Sequence, residues 1–292
     1  MIQIRTLGEL VITVKGRRQT LATRKQTALI IYLAMLDGRS VSRDRLATLL
    51  WENVPSNKAR HSLSHAIYAI RQVLPDMPIE VFGDDIVLNK EAVTVDAIQY
   101  DKLIAAHRLD EALELYRGEF LDGFWLKDCK AFEEWVSHER TLRRDTARAA
   151  RYSLAQRAEA GGDWLKVIEL TTRLLEADPL DEAAMRMRSI SIAATHGKDS
   201  ALRDLRRFIE RLETDFGCQP ERATKDLVAH LSSSDVIGVA SANASEPAEQ
   251  VVFVGRQKDF EKLRRAWEAV KGSVCRVVRV AGEPGIGKTR LC

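Results

Sequence analysis

Apolar residues in the segment 55–74 recur every three or four positions, a spacing that predicts one amphipathic helix packed on a core. The apolar stripe consists of Ala59, Leu63, Ile67, Ile70 and Leu74. The segment contains no acidic residue, so its outer face suits phosphates and base edges of double-stranded DNA. The predicted DNA-contacting residues of this face are Lys58, Arg60, His61, Ser64, His65, Tyr68 and Arg71. The charged face of many positive helices contacts only solvent, so the neighbouring segments must show whether this helix binds DNA.

Two of these residues, His61 and His65, are four positions apart, a spacing that can also chelate a divalent metal ion. No third ligand is nearby in the sequence, and position 62 is Ser where a zinc protease has Glu. We therefore predict no metal site. A solvent-facing role and a DNA-contacting role remain open for both histidines.

Two shorter predicted helices precede this segment, and a predicted hairpin follows it. Residues 24–36 have a helical apolar pattern that ends at Asp37-Gly38, and Ser42 can cap a short helix that ends at Leu50 or Trp51. Residues 79–88 predict two strands joined by a turn at 83–85. Three helices and a hairpin in this order are typical of a winged helix-turn-helix domain.

The first residues of the chain predict a small sheet in front of the helices. Segments 2–7 and 10–14 alternate apolar and polar residues as half-buried strands do, with a turn predicted at 15–18. Residues 14–25 contain five basic side chains and no acidic one, so we predict a second phosphate contact there, with Arg24 and Lys25. This order of elements resembles the OmpR-type winged helix, which predicts an α+β DNA-binding domain over residues 1–95.

That resemblance implies that the helix beginning near Ser56 enters the major groove and that the hairpin approaches a minor groove. The hairpin tip, however, contains Asp84 and Asp85 and is acidic, whereas the usual wing is basic.

Residues 96–231 are rich in Ala, Leu, Glu and Arg and show no strand signal, which predicts an all-helical domain. The predicted helices are 99–106, 109–116, 131–160, 163–177, 181–195, 199–216 and 221–231. Gly162 and Gly197 occupy similar turns thirty-five residues apart, close to the tetratricopeptide period. Such helix pairs stack into a solenoid whose inner surface usually holds a protein partner, although a plain helical bundle remains an alternative. The predicted core residues are Leu170, Leu174, Leu175, Leu202, Leu205, Ile209 and Leu212, with Trp125, Trp135 and Trp164 as packing residues.

A longer motif makes the resemblance specific. Residues 115–124 (LYRGEFLDGF), followed by 132–135 (FEEW) and Glu139-Arg140, resemble the signature of the bacterial transcriptional activator domain. Residues 176–184 and 217–220 are similar to the same family. Joined to a winged helix, this layout resembles the Streptomyces antibiotic regulatory protein family over residues 1–231.

The family resemblance implies an activator of transcription that binds direct repeats in double-stranded DNA near a promoter. It also implies a homodimer or side-by-side oligomer on DNA and contact of the helical domain with RNA polymerase. The chain departs from the family after Ala201-Leu202, where Arg206-Arg207-Phe208 replaces a run with tyrosine. Partner contacts on that helix could therefore differ.

Residues 232–250 are rich in Ser, Ala and Asn and predict a linker. Residues 251–292 begin with Phe253-Val254-Gly255-Arg256, which resembles the entry motif of signal-transduction ATPases. An apolar strand at 274–281 then leads to GEPGIGKT, the full Walker A pattern. In a complete site Gly282, Gly285, Gly287, Lys288 and Thr289 would bind ATP phosphates and magnesium.

We expect this segment to be the beginning of an α/β P-loop NTPase domain in a longer regulator gated by nucleotide. The chain contains neither the helix that completes a phosphate site nor a Walker B carboxylate, so we expect it to bind no cofactor and not to be an enzyme. ATP and magnesium are expected only for the longer parent.

Charge and cysteine usage agree with an intracellular regulator. The chain has 45 basic and 42 acidic residues, so the DNA signal lies in the placement of charge. Four cysteines without paired spacing are typical of a reducing cytoplasm, and no apolar run is long enough to predict a membrane partner. A protein-interaction scaffold of a signal-transduction ATPase remains the alternative function.

Overall fold

A computed structural model describes residues 2–233, which lie within the unit Met1–Val236. The strands of these residues are β1 (Ile2–Arg5), β2 (Val11–Val14), β3 (Arg17–Gln19), β4 (Val41–Ser42), β5 (Ile79–Phe82), β6 (Asp85–Leu88) and β7 (Val93–Val95). The α-helices are α1 (Arg24–Met35), α2 (Arg43–Leu50), α3 (Ser56–Val73), α4 (Asp96–Ala105), α5 (Leu109–Leu115), α6 (Lys130–Ala160), α7 (Trp164–Ala177), α8 (Glu182–His196), α9 (Lys198–Thr214) and α10 (Arg222–Ser232).

The first sheet has the strand order β3-β2-β1-β7, in which β7 is parallel to β1 and the other pairs are antiparallel. Ile2 and Ile4 are buried while Gln3 and Arg5 are exposed, which confirms the predicted alternation for β1. The alternation predicted for the second segment is wrong, because the adjacent residues Val11 and Ile12 of β2 are both buried. The turn predicted at 15–18 was too long, because Arg17 and Arg18 already pair with β2 as part of β3. Strand β7 was not predicted.

Three helices and a hairpin follow in the predicted order. Helix α1 begins with a capping box in which Thr23 and Gln26 each accept a hydrogen bond from the other's backbone amide. Ser42 caps α2 as predicted, and α3 agrees with the predicted helix to within one residue at each end. The hairpin β5–β6 turns at Gly83, whose φ of +60° suits glycine, and it forms a second sheet of order β4-β6-β5.

The remaining helices confirm the helical part of the prediction. Helices α6 to α10 pack against one another in sequence, and positive-φ glycines lie at the predicted turns Gly162 and Gly197. Of the predicted core residues, Leu175 and Ile209 are half-buried, and the other five are buried. Trp135 packs at the centre of an aromatic cluster, but Trp125 is 54% exposed and is not a core residue.

One hydrophobic core runs through the sheet region and the first helices of the helical part, across the predicted boundary at 95/96. It contains Ile4, Leu29 and Tyr100 together with Phe120 and Phe132. Around this core, the backbone amide of Gly8 donates to Glu119 at 2.9 Å and that of Leu121 donates to Thr6 at 2.7 Å. The segment after α5, for which no strand pairing was predicted, thus forms isolated bridges to the segment after β1.

Residues 234–250 of the predicted linker and the predicted P-loop segment 251–292 lie outside the described residues. These include Gly282, Gly285, Gly287, Lys288 and Thr289. In the described part of the chain, no helix combines the length and apolar character that crossing a membrane requires.

Candidate nucleic-acid interface

Helix α3 exposes the face that the sequence pattern predicts. Its buried residues are Ala59, Leu63, Ala66, Ile67 and Ile70, whereas the seven predicted contact residues are all exposed. Tyr68 is 62% exposed although it is a large aromatic residue. The helix contributes three basic side chains and no acidic one, so its outer face presents positive charge and hydrogen-bonding groups to solvent.

Arg60 is the exception on this face, because carboxylates compensate its charge. Its Nε atom donates to Oδ1 of Asp44 at 2.5 Å, and its Nη2 atom donates to Oδ2 of the same carboxylate. Its Nη1 atom lies 3.6 Å from Oδ1 of Asp84. Hydrogen bonding to Arg60 lowers the pKa of Asp44, which stays ionised at neutral pH. Arg60 thus links α3 to α2 and to the acidic hairpin tip.

Arg71 also has an intramolecular contact. Its Nη2 atom donates to the backbone carbonyl of Ile79 at 2.6 Å, where β5 begins. This bond fixes the start of the hairpin against the C-terminal turn of α3. Two of the three basic residues of α3 therefore hold the hairpin.

Arg43, at the first position of α2, was not among the predicted residues. Its Nη1 atom donates to Oγ of Ser64 at 3.0 Å, which places the guanidinium beside the exposed face of α3. Its backbone amide donates to the carbonyl of Asp84 at 2.8 Å. One feature of the sequence could have indicated Arg43 as a contact residue. It directly follows the cap Ser42, at the start of the helix that precedes α3.

Four predicted residues remain without such contacts. The side chains of Lys58, His61, His65 and Tyr68 form no hydrogen bond or ion pair with another residue of the described chain. Within residues 2–233, no group of three His, Cys, Asp or Glu side chains is arranged to hold a metal ion. These four side chains are free to contact a ligand outside the protein.

Arg24 and Lys25, the predicted second contact, lie on α1 and pack on indole rings. The Arg24 guanidinium lies 5.4 Å from the ring centroid of Trp125, and its Nη1 atom donates to the Trp125 carbonyl at 3.0 Å. The Lys25 ammonium lies 5.3 Å from the ring centroid of Trp51. These cation–π contacts connect α1 to segments on either side of the sequence boundary at 95/96.

Glu52, which the sequence pattern did not single out, joins the turn before α3 to the helical part. Its carboxylate accepts hydrogen bonds from the backbone amides of Lys130 at 2.8 Å and Ala131 at 3.2 Å. These amides belong to the first turn of α6, where a negative charge is favourable. Both bonds lower the pKa of Glu52.

Next to Glu52, the thiol of Cys129 donates a hydrogen bond to the carbonyl of Leu50, and burial raises the pKa of this thiol.

The residues of the motif at 115–140 meet around one loop. Arg140 donates to the carbonyls of Phe120, Leu121 and Phe124 at 2.8, 2.7 and 3.2 Å. The rings of Phe120 and Phe132 pack against Trp135, with centroids 5.7 and 5.3 Å away. The spacing of the motif thus reflects how the loop after α5 is fixed on α6.

Comparison with known proteins agrees with this architecture. The family described as the bacterial transcriptional activator domain matches residues 89–231. The chain is similar to the transcriptional regulatory protein MoaR1 of Mycobacterium tuberculosis, with 23% identity over 263 residues that cover 81% of this chain and 82% of the relative. MoaR1 of Mycobacterium bovis matches with the same identity and coverage.

A solved structure shares the fold. The chain is similar to Mycobacterium tuberculosis EmbR, solved in complex with a low-affinity phosphopeptide, with a TM-score of 0.56 and 23% identity. The match covers 79% of this chain and 64% of the EmbR chain. This chain therefore spans less than two thirds of EmbR, and the similarity concerns the fold, a small sheet region followed by a helical domain.

Proposed function

Because the chain belongs to the Streptomyces antibiotic regulatory protein family of transcriptional activators, we propose that it binds double-stranded DNA through the exposed face of α3. The observation that carries this proposal is that Lys58, His61, His65 and Tyr68 are exposed together on a helix without acidic residues. An α-helix fits the major groove of B-form DNA, where side chains can reach base edges.

We propose different roles for the residues of α3, according to the intramolecular contacts that each side chain makes. Lys58 lies in the first turn and contacts phosphate, while His61, Ser64, His65 and Tyr68 read base edges. Arg43 adds a phosphate contact beside Ser64. Arg60 and Arg71 act chiefly by holding the hairpin, since their guanidinium groups are bound to Asp44 and to the Ile79 carbonyl.

The hairpin tip approaches the minor groove in this proposal. Asp84 would repel phosphates, but the guanidinium of Arg60 lies 3.6 Å away and offsets this charge. Arg24 and Lys25 contact phosphate in this proposal with the part of each charged group that its indole ring leaves uncovered.

We further propose that two or more copies bind direct repeats side by side and that the helical part contacts RNA polymerase. Both steps are what the resemblance to this family of transcriptional activators implies. Nucleotide gating by a longer parent rests on the Walker A residues alone, which lie outside the described residues.

The test is fluorescence anisotropy of the full chain with DNA fragments from its own upstream region, over a series of salt concentrations. We expect tight binding, and we expect the logarithm of the binding constant to fall linearly with the logarithm of the salt concentration. The informative variant is Lys58→Ala combined with His65→Ala, because neither side chain has an intramolecular partner to lose. The matched control is Arg157→Ala combined with His230→Ala. It likewise removes one positively charged side chain and one histidine, from exposed positions on α6 and α10.

Loss of binding in the α3 variant but not in the control supports the proposal. Absence of binding at low salt contradicts it and favours the scaffold function. Equal losses in both variants would indicate nonspecific attraction to the whole basic surface.

A further inference from the structure

A groove of about 1000 Å³ opens between α5, α6 and α7 in the helical part. Charged side chains dominate its walls, above buried Leu154, Leu170 and Leu174. Small-molecule pockets are usually enclosed, whereas this groove is open and most of its lining residues are charged. Its form is that of an open surface for an extended partner.

Three arginines follow one another along the wall formed by α6. Arg144, Arg148 and Arg151 are spaced by four and three residues, so they lie on one face of the helix. Arg144 pairs with Glu119 at 3.3 Å and Arg148 pairs with Asp181 at 2.8 Å. Both of these guanidinium groups are compensated by carboxylates of the protein itself.

Arg151 differs from its two neighbours because it is half-buried and forms no ion pair or hydrogen bond with a described residue. Its guanidinium lies 5.4 Å from the ring centroid of Tyr116, which closes one side of the groove. Burial lowers the pKa of Arg151. Tyr116, Tyr100 and Glu176 act on this pKa in the opposite direction, and the nearby charge of Arg173 lowers it further. A partly desolvated charge that is not paired with a carboxylate is unfavourable. Binding an anion beside Arg151 would therefore lower the free energy of the protein.

The acidic residues of the groove do not give it a preference for a cationic ligand. Glu119, Glu169 and Glu176 are paired with Arg144, Lys166 and Arg173. The half-buried carboxylate of Asp178 lies 3.8 Å from Arg148. The side chains of Asp110, Glu114 and Asp145 are exposed, and water can solvate them. The described lining therefore has a half-buried cation without a partner but no half-buried anion without one.

We propose that this groove binds an extended peptide segment of a partner protein and that an Asp or Glu of the segment pairs with Arg151. The planar guanidinium can donate two parallel hydrogen bonds to one carboxylate while stacked on Tyr116. This inference does not depend on DNA binding by α3, since the groove residues lie on α5, α6 and α7 and in the loops that follow α5 and α7.

The test selects random peptides displayed on phage against the full 292-residue chain, with a parallel selection against Arg151→Gln. We expect enriched peptides to share an acidic residue at a fixed position only in the first selection. The strongest peptide is then synthesised with a fluorophore, and its affinity is measured by anisotropy. Changing its acidic residue to the amide should lower the affinity about tenfold, as expected for a charged hydrogen bond.

Arg151→Gln should lower the affinity of the acidic peptide by the same factor and leave that of the amide peptide unchanged. This coupling distinguishes a direct pair from a general structural effect. The matched control is Arg157→Gln, on the same helix but outside the groove lining, which should bind both peptides like the unchanged chain.

Enrichment without a fixed acidic position, no enrichment, or equal affinity for Arg151→Gln would overturn the proposal. The peptide comparison on the unchanged chain remains informative even when Arg151→Gln does not fold. DNA binding measured on the same preparations should be unaffected by Arg151→Gln, so failure of this proposal is distinguishable from failure of the DNA-binding proposal.

Discussion

The carboxylate of Glu52 accepts a hydrogen bond from the backbone amide of Lys130, although the two residues are 78 positions apart in the sequence. Glu52 precedes α3 by one short turn, and Lys130 is the first residue of the 31-residue helix α6. The turn that leads into the proposed DNA-contacting helix is therefore bound to the start of α6, the longest helix in the described residues.

We predict that Glu52→Gln lowers the melting temperature of the chain by a few degrees, because the amide loses the charge that favours a helix N-terminus. The pKa of Glu52 is lowered in the folded state, so its contribution is present above about pH 4.3 and is lost as pH falls through the folded-state pKa. Thermal unfolding of both proteins at several pH values tests this. The difference should shrink in acid, and a constant difference would contradict the assignment.

Asp84→Asn should increase affinity for DNA several-fold. The change removes a negative charge from the hairpin tip and releases part of the Arg60 guanidinium, while the backbone bond from Arg43 to the Asp84 carbonyl can remain. Anisotropy over a salt series measures this, with Asp226→Asn on α10 as an exposed control of equal charge change. Weaker binding would mean that the ion pair to Arg60 matters more for hairpin position than for charge.

Lys58→Ala should weaken binding to all DNA sequences alike, whereas His65→Ala and Tyr68→Ala should change sequence preference. Each lost base contact costs roughly 1 to 3 kcal/mol. Binding to a specific fragment and to random DNA, measured in parallel, separates the two effects. Equal losses on both DNAs for all three variants would refute this division of roles.

Arg71→Ala should weaken DNA binding and also lower thermal stability, since the Ile79 carbonyl loses its donor. Unfolding curves of this variant beside Lys58→Ala distinguish the two causes. Lys58→Ala should leave stability unchanged because its side chain is exposed and unpaired in the described chain. Unchanged stability in Arg71→Ala would assign this residue to DNA contact alone.

Arg143→Leu should destabilise the fold by about 3 kcal/mol. This guanidinium is 2% exposed, pairs with Asp101 at 2.6 Å and with Glu139, and lies 5.2 Å from the Phe120 ring centroid. Removing it leaves the Glu139 carboxylate, only 17% exposed, without its partner. Urea unfolding measures the loss, and Arg144→Leu at the neighbouring, 52% exposed position should change stability by no more than about 0.5 kcal/mol. Similar losses at both positions would contradict a special role for the buried charge.

Local patterns in the sequence determined most of the helices and the orientation of α3. The apolar spacing of Ala59, Leu63 and Ile67 repeats within a few residues, and the same residues are buried in the fold. The caps at Ser42 and the turns at Gly162 and Gly197 are equally local. Periodicity and capping predict such features because their physical causes lie within one or two helical turns.

The tertiary structure alone decided which of the exposed residues are free and how the sheet region joins the helical part. Arg60 is held by Asp44 and Asp84, and Glu52 contacts Lys130, through pairs that no local pattern connects. The three-residue strand β7 was missed for the same reason, since its partner β1 lies at the other end of the region. The sequence pattern of residues 2–95 could predict a small sheet, three helices and a hairpin. Which charges remain exposed and unpaired depends on distances between segments that only packing brings together.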